Sequence, residues 1–105
     1  MAKTVKWTEA AWLDLEAAAD FISKDSKYYA AAFVREIREA ARSLRYFPER
    51  GAIVTEFDDP DIREIYIRNY RLIYQVTTKK VFILGFIQGA RNLAALWKRE
   101  GRSKT

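Results

Sequence analysis

Asn69-Tyr70-Arg71-Leu72-Ile73-Tyr74-Gln75-Val76, followed after a short polar turn by Val81-Phe82-Ile83-Leu84-Gly85-Phe86-Ile87, is the stretch on which the fold turns. Both runs are rich in β-branched and aromatic residues, and the polar residues between them, Thr78-Lys79-Lys80, suit a hairpin turn. The second run is apolar at consecutive positions, which predicts a central strand buried on both faces. Arg71 opens the first strand and Arg91 lies just past the second, behind Gly89-Ala90. Guanidinium is always charged and grips phosphate or carboxylate as a fork, so the two arginines are the first candidates for chemistry.

Working outward, Ile62 to Ile67 predicts a strand before this pair, with a turn at Arg68-Asn69 and a meander as the result. Its alternation puts Ile65 and Ile67 toward the core and Glu64 and Tyr66 toward an open face. Lys3 to Trp7 alternates and predicts an N-terminal strand. Thr8 is placed to cap a helix with an apolar stripe at Ala11, Leu15, Ala18, Ala19 and Ile22. Asp25 or Ser26 is placed to cap a second helix, with a stripe at Tyr29, Ala32, Phe33, Ile37, Ala40, Ala41, Leu44 and Phe47, stopped by Pro48 and Gly51. Small residues on both stripes let the helices pack closely as a hairpin. Ala52 to Pro60 is an acidic connection with a short extended piece at Ile53-Val54. Asn92 to Lys98 has helical composition, with Leu93, Leu96 and Trp97 able to pack. The expected fold is α+β: an N-terminal strand and a three-strand meander form a small, mostly antiparallel sheet. A helical hairpin covers one face, in the order β-α-α-β-β-β with a possible C-terminal helix. Residues 1–105 are expected to form one domain with a basic tail from about residue 98.

The chain has 105 residues and a net charge of +5, with no histidine and no cysteine. Half the residues are apolar, enough for a core. The missing residue types exclude Ser-His-Asp and Cys-His arrangements, an ordinary zinc site and disulfides, and fit a reducing, cytoplasmic setting. No signal peptide or membrane span is expected. Acidic residues dominate from Glu49 to Glu64, and every charge from Tyr66 to Lys98 is basic. That asymmetry points to an anionic partner, RNA, DNA or an acidic protein segment, with a solvated surface and a frayed basic tail as the plainer reading. Asp58, Asp59 and Asp61 read as a solvated turn beside Pro60 rather than a metal site, and no cofactor is expected. The glycines form no phosphate-cradling loop.

The order of Phe47-Pro48-Glu49-Arg50-Gly51, Ile62-Arg63-Glu64, Tyr70 to Val76 and Gly89-Ala90-Arg91, behind a helical hairpin, resembles the RelE/ParE superfamily, the toxins of bacterial type II toxin–antitoxin modules. The resemblance implies either a ParE-like poison of DNA gyrase or a RelE-like ribonuclease acting on mRNA at the ribosome. A third possibility is a degenerate member that only binds its antitoxin and co-represses transcription. It also implies a cognate acidic antitoxin and a toxin–antitoxin hetero-oligomer without a membrane. In the ribonuclease reading, Arg71 and Arg91 stand where relatives place phosphate-binding arginines, able to stabilise a pentavalent phosphorus. The departures favour the ParE branch. Glu64 and Tyr66 stand where RelE carries lysines, Trp97 stands where a tyrosine is expected, and Gln88 stands where many relatives have histidine. Glutamine cannot exchange a proton at neutral pH. The candidate chemical set is thus Arg71, Arg91, Gln88 and Glu64, and the candidate target-binding set is Arg63, Arg68, Tyr66, Tyr74 and Trp97. Arg71 and Arg91, near strand ends, are expected to be incompletely buried and to matter for activity more than for folding, with alanine costing about 1 kcal/mol or less where they are exposed.

Overall fold

A computed structural model of the chain describes residues 2–89 and 91–102. Strand β1 (Thr4–Trp7) leads into helices α1 (Glu9–Ser23) and α2 (Lys27–Ser43). Strands β2 (Ala52–Ile53), β3 (Ile62–Ile67), β4 (Tyr70–Val76) and β5 (Lys80–Gln88) follow, and α3 (Leu93–Arg99) ends the fold. The architecture is the expected α+β arrangement, with the short piece at Ala52–Ile53 paired as a fifth strand. The sheet order is β1-β5-β4-β3-β2. The meander is antiparallel throughout and β1 joins β5 in parallel, the α1–α2 hairpin carrying the chain from β1 at one edge of the sheet to β2 at the other.

Each helix begins at a residue whose side chain satisfies a free backbone N–H. The Thr8 hydroxyl accepts from Ala11 N–H at 3.1 Å and donates to the Ile83 carbonyl at 2.9 Å, so the cap of α1 is also tied to β5. Ser26, rather than Asp25, caps α2 by accepting from Tyr29 N–H, and Asn92 caps α3 by accepting from Ala95 N–H. The stripe of α2 is shifted from its expected course. Ala30, Phe33, Ile37, Ala41 and Leu44 are buried, whereas Tyr29 and Phe47 are exposed. Tyr29 sits in the first turn of α2, and Phe47 falls beyond the helix end.

The sheet separates two cores. On one face Leu72, Tyr74, Val81, Ile83 and Phe86 pack against Ala11, Leu15, Phe33 and Ile37 of the hairpin. On the other, Ile62, Ile73, Leu84 and Ile87 pack against Val54, Leu93, Leu96 and Trp97. The face expected to be open for function is therefore covered by α3 and by the loop after β2. Phe57 of that loop lies 5.4 Å from the Trp97 ring. A bulge at Leu84 adjusts β5 to both cores: Ile73 pairs with Gly85 and Tyr74 with Ile83, leaving one extra residue between them.

The tail is not frayed as far as Arg102. The Arg102 guanidinium donates to both Asp14 oxygens at 2.8 and 3.2 Å and lies 5.2 Å over Trp97. Asp14 also accepts from Phe86 N–H at 3.0 Å, so one carboxylate of α1 ties β5 to the end of the chain. Gly85 leaves the space for this junction. A Cβ there would stand 2.6 Å from Trp97 Cζ2 and 2.9 Å from Arg102 Nη1. Gly85→Ala is expected to displace the rigid indole and cost about 1–3 kcal/mol, read as a lower midpoint in urea unfolding.

Candidate functional site

Arg71 does not stand open at a strand end. It is the buried charged residue of the described chain, 4 % exposed, and its guanidinium is bound on every side by carboxylates. Nε donates to Glu64 Oε1, while Nη1 and Nη2 donate to the two oxygens of Glu56 at 2.8 and 2.9 Å. Glu64 arrives from β3, next to Arg71 on the same face, and Glu56 from the loop after β2. The hydrogen bonds it donates to Glu56 raise the Arg71 pKa further, against desolvation. In turn the hydrogen bonds from Arg71 hold Glu56 below the usual carboxylate range, against partial burial. This cluster of two carboxylates and one guanidinium carries a net negative charge. It fastens the loop over the second core and leaves no guanidinium face free for phosphate.

The expected site residues do not converge. Gln88 pairs with Tyr70 and lines a cleft of about 350 Å³ with Phe21, Tyr29, Phe33 and Arg68, on the helical-hairpin face. Arg71, Glu64 and Tyr66 lie on the opposite face, so the sheet divides the chemical set. Arg91 is exposed, and its N–H donates to the Gln88 carbonyl at 3.1 Å.

The target-binding set divides in the same way. Tyr74 is fully buried. Its hydroxyl donates to the Pro48 carbonyl at 2.8 Å and accepts from Gly51 N–H at 2.9 Å, pinning the turn after α2. Burial raises its pKa. A Cβ at Gly51 would lie 2.5 Å from the Glu64 carbonyl oxygen, so only glycine lets the turn come this close. Trp97 is a core residue under Phe57, and its Nε1–H is buried without a partner among the described residues. Arg63 donates to the Gly51 carbonyl at 2.8 Å. Arg68 occupies the β3–β4 turn with a φ of 57°, a left-handed conformation a tight hairpin demands. It reaches back to Glu36 at 2.8 Å and to the Tyr29 hydroxyl at 3.3 Å. Tyr66 alone of this set projects as a large exposed ring. The acidic turn behaves as a local structure: Asp59 Oδ1 accepts from Asp61 N–H at 2.9 Å. Among the described residues no group of three or more acidic side chains is placed to hold a metal.

With this geometry in place, the comparisons with known proteins are decisive for family. The profile of the ParE toxin of type II toxin–antitoxin systems matches residues 5–93. The chain belongs to the ParE toxin family. It is a ParE-like toxin of a type II system, within the RelE/ParE superfamily. Solved structures share the fold. A chain of the chromosomal ParDE system of P. aeruginosa superposes with a TM-score of 0.69 at 23 % identity, covering 83 % of this chain and 96 % of that one. A chain of a RelBE toxin–antitoxin complex from Mycobacterium tuberculosis gives 0.61 at 21 % identity, covering 87 % and 95 %. A double arginine-to-alanine mutant of E. coli RelE, solved with a peptide of its antitoxin RelB, gives 0.51 at 20 % identity, covering 100 % and 99 %. A comparison with curated proteins gives no match by sequence.

The expectation that Arg71 can be lost cheaply is overturned by its burial. Arg71→Ala leaves Glu56 and Glu64 together without their counter-ion and is expected to cost about 3–5 kcal/mol. The triple change Arg71→Met, Glu56→Gln, Glu64→Gln should recover most of that loss, both read by chemical unfolding. Glu56, whose folded pKa is lowered, adds stability that is present above the ordinary carboxylate pKa. That contribution is lost as pH falls through the lowered value. Glu56→Gln should therefore narrow the stability difference between pH 7 and pH 3, measured by urea titrations at each pH. Tyr74→Phe, which unpairs Gly51 N–H and the Pro48 carbonyl, should cost about 1–3 kcal/mol.

Proposed function

We propose that this ParE-family toxin arrests growth by binding DNA gyrase in the cytoplasm, that it does no RNA cleavage, and that a cognate acidic antitoxin neutralises it. The observation that carries the reading is the family match together with the disassembled chemical set. Ribonucleolysis by general acid–base catalysis needs a proton-exchanging group and free cations around one phosphate. Here Gln88 exchanges no proton, Arg71 is closed by two carboxylates, and the sheet lies between them. Toxicity on this reading comes from binding a protein target through an accessible surface, which suits a fold whose chemistry-bearing positions have become structural. The net charge of +5 favours an acidic neutralising partner, and a disordered acidic tail that orders on the toxin would meet that charge.

Purified chain added to gyrase and relaxed plasmid should inhibit supercoiling or trap cleaved DNA, and the antitoxin should reverse it. In a purified translation system, ribosome-bound mRNA should stay intact. Cleavage of A-site codons with gyrase unaffected would establish the ribonuclease alternative, and silence in both assays with retained antitoxin binding would establish a co-repressor. Gln88→His should not produce RNA cleavage, because the imidazole would stand across the sheet from Arg71. A rise in cleavage of about 10² or more, the usual worth of a positioned base, would contradict this reading.

A further inference from the structure

Arg68, Arg71 and Arg102 are each ion-paired, while Lys79, Lys80, Arg91, Lys98 and Arg99 are exposed without an ion pair among the described residues. A more regular set of unpaired cations lies on α2. Arg35, Arg38, Arg42 and Arg45 recur at intervals of three and four residues, so they form one stripe along α2 and its C-cap turn. All four are exposed, and none forms an ion pair among the described residues. Arg38 lies 6.0 Å over the Trp12 ring and Arg45 5.6 Å over Tyr46, contacts that steady the side chains and leave their charge uncompensated. Glu39 is the acidic residue on the same ridge, beside Arg35, Arg38 and Arg42, while Glu36 is turned to Arg68. Between the stripe and the edge of β1 runs a groove of about 320 Å³ lined by Thr4, Val5, Trp7, Arg38, Arg42 and Arg45.

We propose that this arginine stripe binds the phosphate backbone of duplex DNA without sequence preference. The stripe spans about 15 Å at the helical rise, and successive phosphates of one strand advance about 3.4 Å along a duplex axis, so four guanidinium groups meet a run of about four phosphates. The residue type fits as well, because every member is arginine and guanidinium matches phosphate as a fork. An acidic peptide added as a strand to β1 is the competing occupant, and the edge offers it only two outward-facing residues. Thr4 and Thr8 donate to β5, so Val5 and Trp7 turn their backbone groups outward, while the outward N–H of Lys3 is already taken by the Arg45 carbonyl at 2.9 Å. Val5 and Trp7 are as few residues as β2 uses to pair with β3, whereas the stripe of four exposed arginines continues past the edge to Arg35. The proposal is independent of gyrase and adds a DNA contact to a toxin expected to act on a DNA-bound enzyme.

The test is fluorescence anisotropy of labelled 20-base-pair duplexes of two unrelated sequences with the full chain, across a salt series. Binding to both should be equal within a factor of about three. The affinity should fall with salt with a log–log slope of about −3 to −4. Arg38→Ala/Arg42→Ala should weaken binding at least tenfold and flatten the slope by about 2, and Lys79→Ala/Lys80→Ala should leave both unchanged. Circular dichroism must show both variants folded, and Arg38→Lys/Arg42→Lys, which keeps the charge, should retain the salt slope. The proposal is overturned if the duplex does not bind at 50 mM salt or if the alanine pair leaves binding intact. Tighter binding of a poly-glutamate peptide or of single-stranded RNA at equal charge would overturn it too.

Discussion

Burial of the β4–β5 pair on both faces is the constraint from which the remaining structure follows. A strand with apolar residues at consecutive positions cannot leave either face in water without losing about 1.5–3 kcal/mol for each large side chain exposed. The α1–α2 hairpin covers one face. The second face needs a cover of its own, and the chain supplies it from two remote pieces, α3 and the loop after β2. Both pieces are short, so each is held by a charged fastening: Arg102 on Asp14 for the C-terminal end, and Arg71 on Glu56 for the loop.

These fastenings give Arg71 and Arg102 structural partners. A guanidinium buried under a loop requires neutralisation, and Glu56 and Glu64 provide it with hydrogen bonds to all three nitrogens. The cost is specificity of chemistry. Arg71 is committed to two carboxylates, and a second core lies over the same face of the sheet.

The accessible surface carries a different message from the interior. Aromatic rings at Phe21, Tyr28, Tyr46 and Phe47 and the arginine stripe of α2 lie on the helical side and at the turn that follows it. With both cores covered, the helices carry much of the accessible aromatic and basic surface, and Tyr66 adds an exposed ring on β3.

Much of this was determined by the sequence alone. Alternation at Ile62–Ile67, the continuous apolar run of β5, the capping residue Thr8 and the alanine-rich stripes define the elements, because these are local properties of spacing and backbone hydrogen bonding, whereas the choice of Ser26 over Asp25 as the α2 cap came from the structure. The meander and hairpin order carried the family. What only tertiary structure decided is which polar residues meet. Glu56 and Arg71 are remote in sequence, as are Asp14 and Arg102, and neither pair leaves a periodic signal. Tyr74 and Trp97 look like recognition residues in a linear chain, and only the second cover of the sheet turns Trp97 inward. Spacing did hold the arginine stripe of α2, at 35, 38, 42 and 45. Only the tertiary structure shows that Glu36 is turned away to Arg68, leaving Glu39 as the acid on that ridge, which is a matter of distance in space and not along the chain.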